Sequence, residues 1–360
     1  MKNGKIGRIA ATLGLGAMFI LCGAGCRTST SDKTESSPAA NVDGATDGES
    51  PGEQQDTDVG DPRTRRTSCS AATDPLSEAS LMATIEALAA PALEGRYPGT
   101  AGDASARSLI EARFKCLGLE APGGSYQQSF TTDDGEVTAN VLGVMRGSDP
   151  DLQGEVIVVG AHHDHLGKNE QGIHHGANDD ASGVAAVLAL AEKVASQGQA
   201  PRRTIVFAAF GAEEAGYLGS LHYAAHPFEG LSLDDTVYMV NLDMIGSYQR
   251  EGLVYALHTF PGTPGREILD GLVSTFSDLD VVLGEPGEIA DHITFCDADV
   301  PVTFFHTTDD DCYHKPCDDA ARIDRKHLPR IVQLVWALLS EAADGEKDLA
   351  AARAKGCGAP

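Results

Sequence analysis

Four short apolar runs punctuate this chain: Val156–Val159, Thr204–Phe207, Val237–Val240 and Val302–Phe305. Runs of this length, rich in β-branched residues and bounded by turn residues, predict buried strands. Between them lie stretches with helical spacing of apolar residues, so strand and helix alternate. That order predicts an α/β fold whose sheet is largely parallel or mixed and is covered on both faces. In an open sheet of this kind, side chains just beyond the carboxyl ends of the strands gather at one edge. The chain places His162, the pair Glu213–Glu214, Asp243 and His314 after or near those runs, and Asp179 in the loop 176–180. Two histidines and three carboxylates (His162, His314, Asp179, Glu214, Asp243) are donors suited to divalent zinc.

Apolar spacing predicts helices over 77–90, 103–117, 183–195, 215–225, 265–276 and 324–343. Further strands are expected at 137–145, 204–210, 253–257, 281–283 and 301–305. One globular domain, 70–345, holds all of them, and 346–360 reads as a tail.

The N-terminal region has a different character. Lys2, Lys5 and Arg8 precede an apolar stretch from Ile9 to Leu21 and small residues up to Cys26. This is the pattern of an export signal over 1–25, too short and wrongly flanked for a spanning helix. Gly23–Cys26 resembles a bacterial lipobox, with Gly23 where an aliphatic residue is expected. Lipidation of Cys26 would anchor the chain to the bacterial cell envelope; a soluble form cleaved near Ala24 is the alternative. The segment 26–69 is rich in Ser, Thr, Asp, Gly and Pro and poor in large apolar residues, as expected of a disordered linker. A formal charge of -26 excludes a basic nucleic-acid-binding face, and no protein partner is expected. Beyond the signal stand Cys69, Cys116, Cys296, Cys312, Cys317 and Cys357, an even number suited to an oxidising compartment. Cys312 and Cys317 are close enough to clip the loop that carries His314. The other four allow three pairings.

The chemistry of the pair Glu213–Glu214 is informative. Adjacent carboxylates at a sheet edge repel unless a cation neutralises one. A metal on Glu214 leaves Glu213 free as a general base. Asp164, in His162-His163-Asp164-His165, can orient the second nitrogen of His162 or a neighbouring group.

These stretches carry a resemblance. Leu93–Thr100 (LEGRYPGT), Gly160–Gly167 (GAHHDHLG), Gly176–Gly183 (GANDDASG), Gly211–Glu214, Asn241–Gly246 and Cys312–His314, in that order, are similar to motifs of the M28 zinc aminopeptidases. The resemblance covers nearly all of 74–345. It implies a three-layer α/β/α sandwich around a mixed sheet, and two zinc ions bridged by Asp179. His162, Asp179 and Asp243 would hold one ion, and Asp179, Glu214 and His314 the other. It also implies Glu213 as general base, Asp164 as support for His162, and a cis peptide between Asp179 and Asp180. Tyr313 would hydrogen-bond the tetrahedral intermediate, and Cys312–Cys317 would form a disulfide. The implied substrates are peptides with a free N-terminus. Other reactions of the family, carboxypeptidase or glutaminyl cyclase-like chemistry, are alternatives, as is a non-catalytic binding protein on the same fold. The run Asp309-Asp310-Asp311 departs from the family pattern; it is expected either to favour basic substrates or to be a solvated loop.

Overall fold

The computed structural model describes residues 69, 73–284, 290–309, 311–353, 356 and 357. The export signal, Cys26 and the linker before Cys69 lie outside them. The described residues form an eight-stranded sheet in the order β1-β2-β6-β3-β7-β10-β8-β9. Its strands are β1 (Gln127–Thr131), β2 (Val137–Met145), β3 (Val156–His162), β6 (Thr204–Phe210), β7 (Thr236–Leu242), β8 (Leu253–Leu257), β9 (Asp280–Leu283) and β10 (Val302–His306). A separate two-stranded ribbon, β4 (Lys168–Asn169) and β5 (Gly172–Ile173), projects from the loop after β3.

The sheet is mixed. Its centre, β6-β3-β7-β10, is parallel, while β2 and β8 run antiparallel on either side. The central strands are buried along their whole length, which is why they read as continuous apolar runs. Side chains alternate between two cores. Ile157, Val159, Phe207, Val240 and Phe305 face one, with helices α1 (Glu78–Leu88), α2 (Ala101–Leu117), α3 (Ser182–Ser196), α5 (Pro264–Leu272) and α7 (Leu328–Asp344). Val158, Val206, Phe210, Met239 and Phe304 face the other, with α4 (Leu218–Ala225) and α6 (His292–Cys296). Burying one such side chain contributes roughly 1.5–3 kcal/mol, more than the ~1–2 kcal/mol it costs to fix one residue's backbone. The strand ends are therefore held by the cores, and the loops beyond them inherit that position.

Register aligns those ends. His162 is opposite Phe210, three residues before Glu213, and Phe305 is opposite Leu242, one before Asp243. The chain leaves β3 for β6 on one side and returns to β7 on the other, which opens a crevice at the carboxyl end of β3.

Packing continues past residue 345. Helix α8 (Leu349–Arg353) buries Leu349 completely, and Cys357 is bonded to Cys296, so the expected tail includes a docked segment. Arg353 anchors it by donating to the carbonyls of Asp234 and Thr236. The remaining disulfides are Cys69–Cys116 and Cys312–Cys317. Cys69–Cys116 spans 47 residues, and loop closure of that length restricts the unfolded chain. A Cys69→Ala/Cys116→Ala variant is expected to lose about 2–4 kcal/mol, read from its urea midpoint. An unchanged midpoint would show that the crosslink adds nothing.

Candidate metal centre

The six acids and histidines expected at the strand ends converge in the crevice. His162 ends β3 with its Nε2 3.1 Å from Oδ1 of Asp179 and 3.7 Å from Oδ1 of Asp243. His314 lies across from it, with Nε2 3.3 Å from Oδ2 of Asp179 and 3.0 Å from Oε2 of Glu214. The two oxygens of Asp179 thus face different histidines. Glu213 belongs to neither group. Tyr313 stacks on His314 with ring centroids 3.8 Å apart and is 45% exposed, at the rim of the cluster.

Asp179 owes its position to its neighbours. The Asp179–Asp180 peptide bond is cis. Asp318 accepts hydrogen bonds from the amides of Asn178 and Asp179. Asp180 turns away from the crevice and accepts from the amides of His162, Gly183 and Met244, tying together the ends of β3 and β7 and the start of α3. Gly183 allows this approach: a Cβ there would lie 2.3 Å from the carbonyl of Leu242. Arg96, fully buried, donates from Nε to the carbonyl of His163 and from Nη1 and Nη2 to those of Leu88, His175 and Gly176.

Asp164 supports the site in a different way from the simplest expectation. The Nδ1 of His162 lies 3.2 Å from the carbonyl oxygen of Asp164 and 3.7 Å from its carboxylate. That carboxylate accepts instead from the amides of Glu213 and Glu214, at 3.0 and 3.3 Å. The pair sits on a tight turn in which the carbonyl of Glu213 accepts from the amides of Gly216 and Tyr217. This delays the start of α4 to Leu218, three residues beyond the expected 215.

The electrostatics are those of an acidic cluster arranged for cations. Asp179 is 3% exposed, and its Oδ2 has no hydrogen-bond partner; Oδ1 of Asp243 is likewise buried and unpartnered. Such groups are costly unless a cation meets them. Burial, reinforced by Asp291, Asp243 and Asp164, pushes the Glu213 carboxyl up to about 10 despite the nearby His162. Burial works against protonating His314, but Asp179 and Glu214 outweigh it and raise its imidazole to about 10. His162 is also raised well above the usual range, as Glu213, Asp164, Asp179 and Asp243 overcome its burial. Neutral imidazole nitrogens and carboxylate oxygens at these separations suit the borderline-soft zinc ion.

Several residues at the site were given no role by the sequence. Asp291 precedes α6, is 1% exposed, and is pushed by burial up to about 7. His306 ends β10, with Nδ1 3.1 Å from the carbonyl of Asp243. His165 is fully buried beside Glu214. The acidic loop is partly tied to neighbouring basic residues. Asp309 is buried and takes hydrogen bonds from Arg322 and Ser247, and Asp311 is 3.4 Å from Arg250. Asp310 lies outside the described residues. Of the two described acids, Asp309 is thus buried and paired, while Asp311 remains largely exposed beside Arg250.

A mixed sheet with His, Asp and Glu side chains clustered beyond its parallel strand ends defines an α/β protein of the zinc-exopeptidase type. Residues 140–339 match Peptidase family M28, and the chain belongs to that family. It is 27% identical over 277 residues to leupeptin-inactivating enzyme 1 of Streptomyces exfoliatus, covering 68% of this chain and 57% of that protein. It is 28% identical over 225 residues to aminopeptidase YwaD of Bacillus subtilis, covering 59% and 46%. The chain thus spans about half the length of these curated relatives. Among solved structures, a zinc aminopeptidase from Bacillus subtilis superposes with a TM-score of 0.63 at 19% identity, covering 76% of this chain and 96% of that one. A glutaminyl cyclase from Bacteroides thetaiotaomicron superposes with a TM-score of 0.59 at 17% identity, covering 74% and 98%. At these identities the superpositions establish the shared fold.

Proposed function

We propose that this chain is an exported di-zinc aminopeptidase that removes residues from the free N-termini of peptides. The observation that carries this is Asp179, whose two carboxylate oxygens each face a separate histidine–carboxylate pair. His162, Asp179 and Asp243 would hold one zinc; Asp179, Glu214 and His314 would hold the other, with Asp179 as the bridge. Bound there, the ions would lower the pKa of a water toward neutrality and polarise the scissile carbonyl. With cations offsetting the acids that raise its carboxyl, Glu213, held by Asp164 through its backbone amide, would serve as the base that accepts a proton from a water and returns it to the departing amine. The hydroxyl of Tyr313, beside His314, would donate to the oxygen on which negative charge develops. The surrounding carboxylates attract the substrate's ammonium group, which favours a chain end over an internal bond. Outside the described residues, we propose that lipidated Cys26 anchors the chain to the cell envelope; the mass of the mature N-terminus tests it.

Purified protein loaded with zinc is expected to release residues stepwise from free peptides and to leave N-acetylated copies intact. A chelator should abolish the release, and zinc should restore it. Cyclisation of N-terminal glutamine without trimming would instead place the chain with the glutaminyl cyclases, whose fold it shares.

Zinc affinity should depend on pH. In the metal-free protein the imidazole of His314 stays protonated below about pH 10, and zinc binds only the neutral form. Affinity should therefore rise with pH through the neutral range, by up to about tenfold per unit for each proton displaced. A competition titration at pH 6, 7 and 8 measures this, and a flat profile would contradict it.

A further inference from the structure

We infer that His165 positions Glu214 by hydrogen bonding and thereby sets the affinity of the second zinc site, so that three imidazoles serve a cluster in which two bind metal. This rests on the two-zinc assignment above.

Two imidazoles compete for the role of second ligand. His314 places Nε2 3.0 Å from Oε2 of Glu214 and 3.3 Å from Oδ2 of Asp179. His165 places Nδ1 2.7 Å from Oε1 of Glu214 and 3.8 Å from Oδ2 of Asp179. Donors that share one tetrahedral zinc at bond lengths of roughly 2.0–2.1 Å lie about 3.3 Å from each other. His314 meets that condition with both carboxylates. His165 departs from it further: it sits 2.7 Å from Glu214, the short end of the hydrogen-bond range, and its 3.8 Å separation from Asp179 is longer than the 3.3 Å of His314. Glu214 therefore turns Oε2 toward His314 and Oε1 toward the N–H of His165.

The tautomer follows. A hydrogen on Nδ1 of His165 satisfies the carboxylate and leaves only a bare acceptor at Nε2, which is buried without a partner. The other tautomer would set a lone pair against Oε1 and bury an unpaired N–H, which costs more. The ring also has little room to leave. It is fully buried, and a Cβ at Gly176 would come within 2.7 Å of its Cδ2. The turn after β3 thus grips the Glu213–Glu214 pair twice, with the Asp164 carboxylate on its backbone amides and the His165 ring on the Glu214 side chain.

Removing a partner that orients a metal ligand typically lowers metal affinity by about 10–100-fold. Zinc would be titrated into the metal-free protein against a competing chelating dye. Wild type is expected to bind two ions. In His165→Asn the amide nitrogen takes the position of Nδ1, and the second affinity should stay near wild type. In His165→Gln it reaches the position of Nε2 instead, and His165→Leu has no donor; both should lose about 10–100-fold at one site and keep the other. Equal affinities in wild type, Gln and Leu variants would overturn the inference, as would an Asn variant as weak as the Leu variant, which would mark a packing role. Wild type that binds a single zinc would overturn it together with the two-zinc assignment. Two tight sites without peptide trimming would overturn the proposed activity and leave the role of His165 intact.

Discussion

Glu213→Gln is expected to lower kcat by about 10²–10⁴-fold while both zinc ions stay bound. Glutamine keeps the size and hydrogen-bonding shape of the side chain but cannot accept and return a proton. Its carboxylate lies near His162 but within ion-pair distance of neither histidine among the described contacts, and its amide is fixed by Asp164 whether or not the carboxylate is present. The loss should therefore appear in kcat with little change in KM, the signature of an interaction made in the transition state. Glu214→Gln should differ in kind, because it removes a charge that faces His314 and Asp179 and with it the zinc. Metal content and kcat measured together on the two variants separate these roles. A Glu213→Gln enzyme with more than a tenth of wild-type kcat would remove Glu213 from the proton-transfer step.

What could be read from the sequence follows from how each element is buried. Strands β3, β6, β7 and β10 were legible because both faces of each are covered, so their residues are nearly all apolar. β1, Gln127–Thr131, was not, since only Gln128 and Phe130 point inward on an edge strand and the rest stay polar. α6 is five residues long and offers too little periodicity to detect. The six acids and histidines were legible from their places after strands, yet the groups that hold them were not. Asp318 is a lone acid in a loop, and only the fold shows that it reaches the amides of residues 178 and 179. His165 stood within a visible motif, but nothing in four consecutive acids and histidines marked it as the partner of Glu214. In the run 309–311 the charge was visible in the sequence, but Arg250 and Arg322, which pair with Asp309, come from elsewhere in the chain.

Arg96→Met should destabilise the metal-free protein by about 3–5 kcal/mol, the scale for removing one member of a buried charged network. Arg96 is 0% exposed and donates to four carbonyls, which belong to the last turn of α1, the segment after β3, and the approach to the Asp179 loop. Methionine fills the same space but offers no donor, so the carbonyls lose their partner and the nearby acids lose a cation. The position also demands the backbone on either side. Arg96 itself has φ 52°, and at Gly95, φ 77°, a Cβ would lie 2.4 Å from the carbonyls of Gly167 and His174. Arg96→Lys keeps the charge, but its single ammonium cannot reach carbonyls spread over four directions, so an intermediate loss is expected. Total stabilities of about 5–15 kcal/mol make the Met variant marginal. The comparison belongs in chelator, because zinc that binds only the folded state adds stability in proportion to the logarithm of its concentration and would mask the defect. A urea midpoint for metal-free Arg96→Met within 1 kcal/mol of wild type would show that the carbonyls find other partners and that the loop does not depend on this side chain. A large loss in chelator, with zinc adding less stability to the variant than to wild type at the same concentration, would establish that the guanidinium supports the fold and the metal loop together.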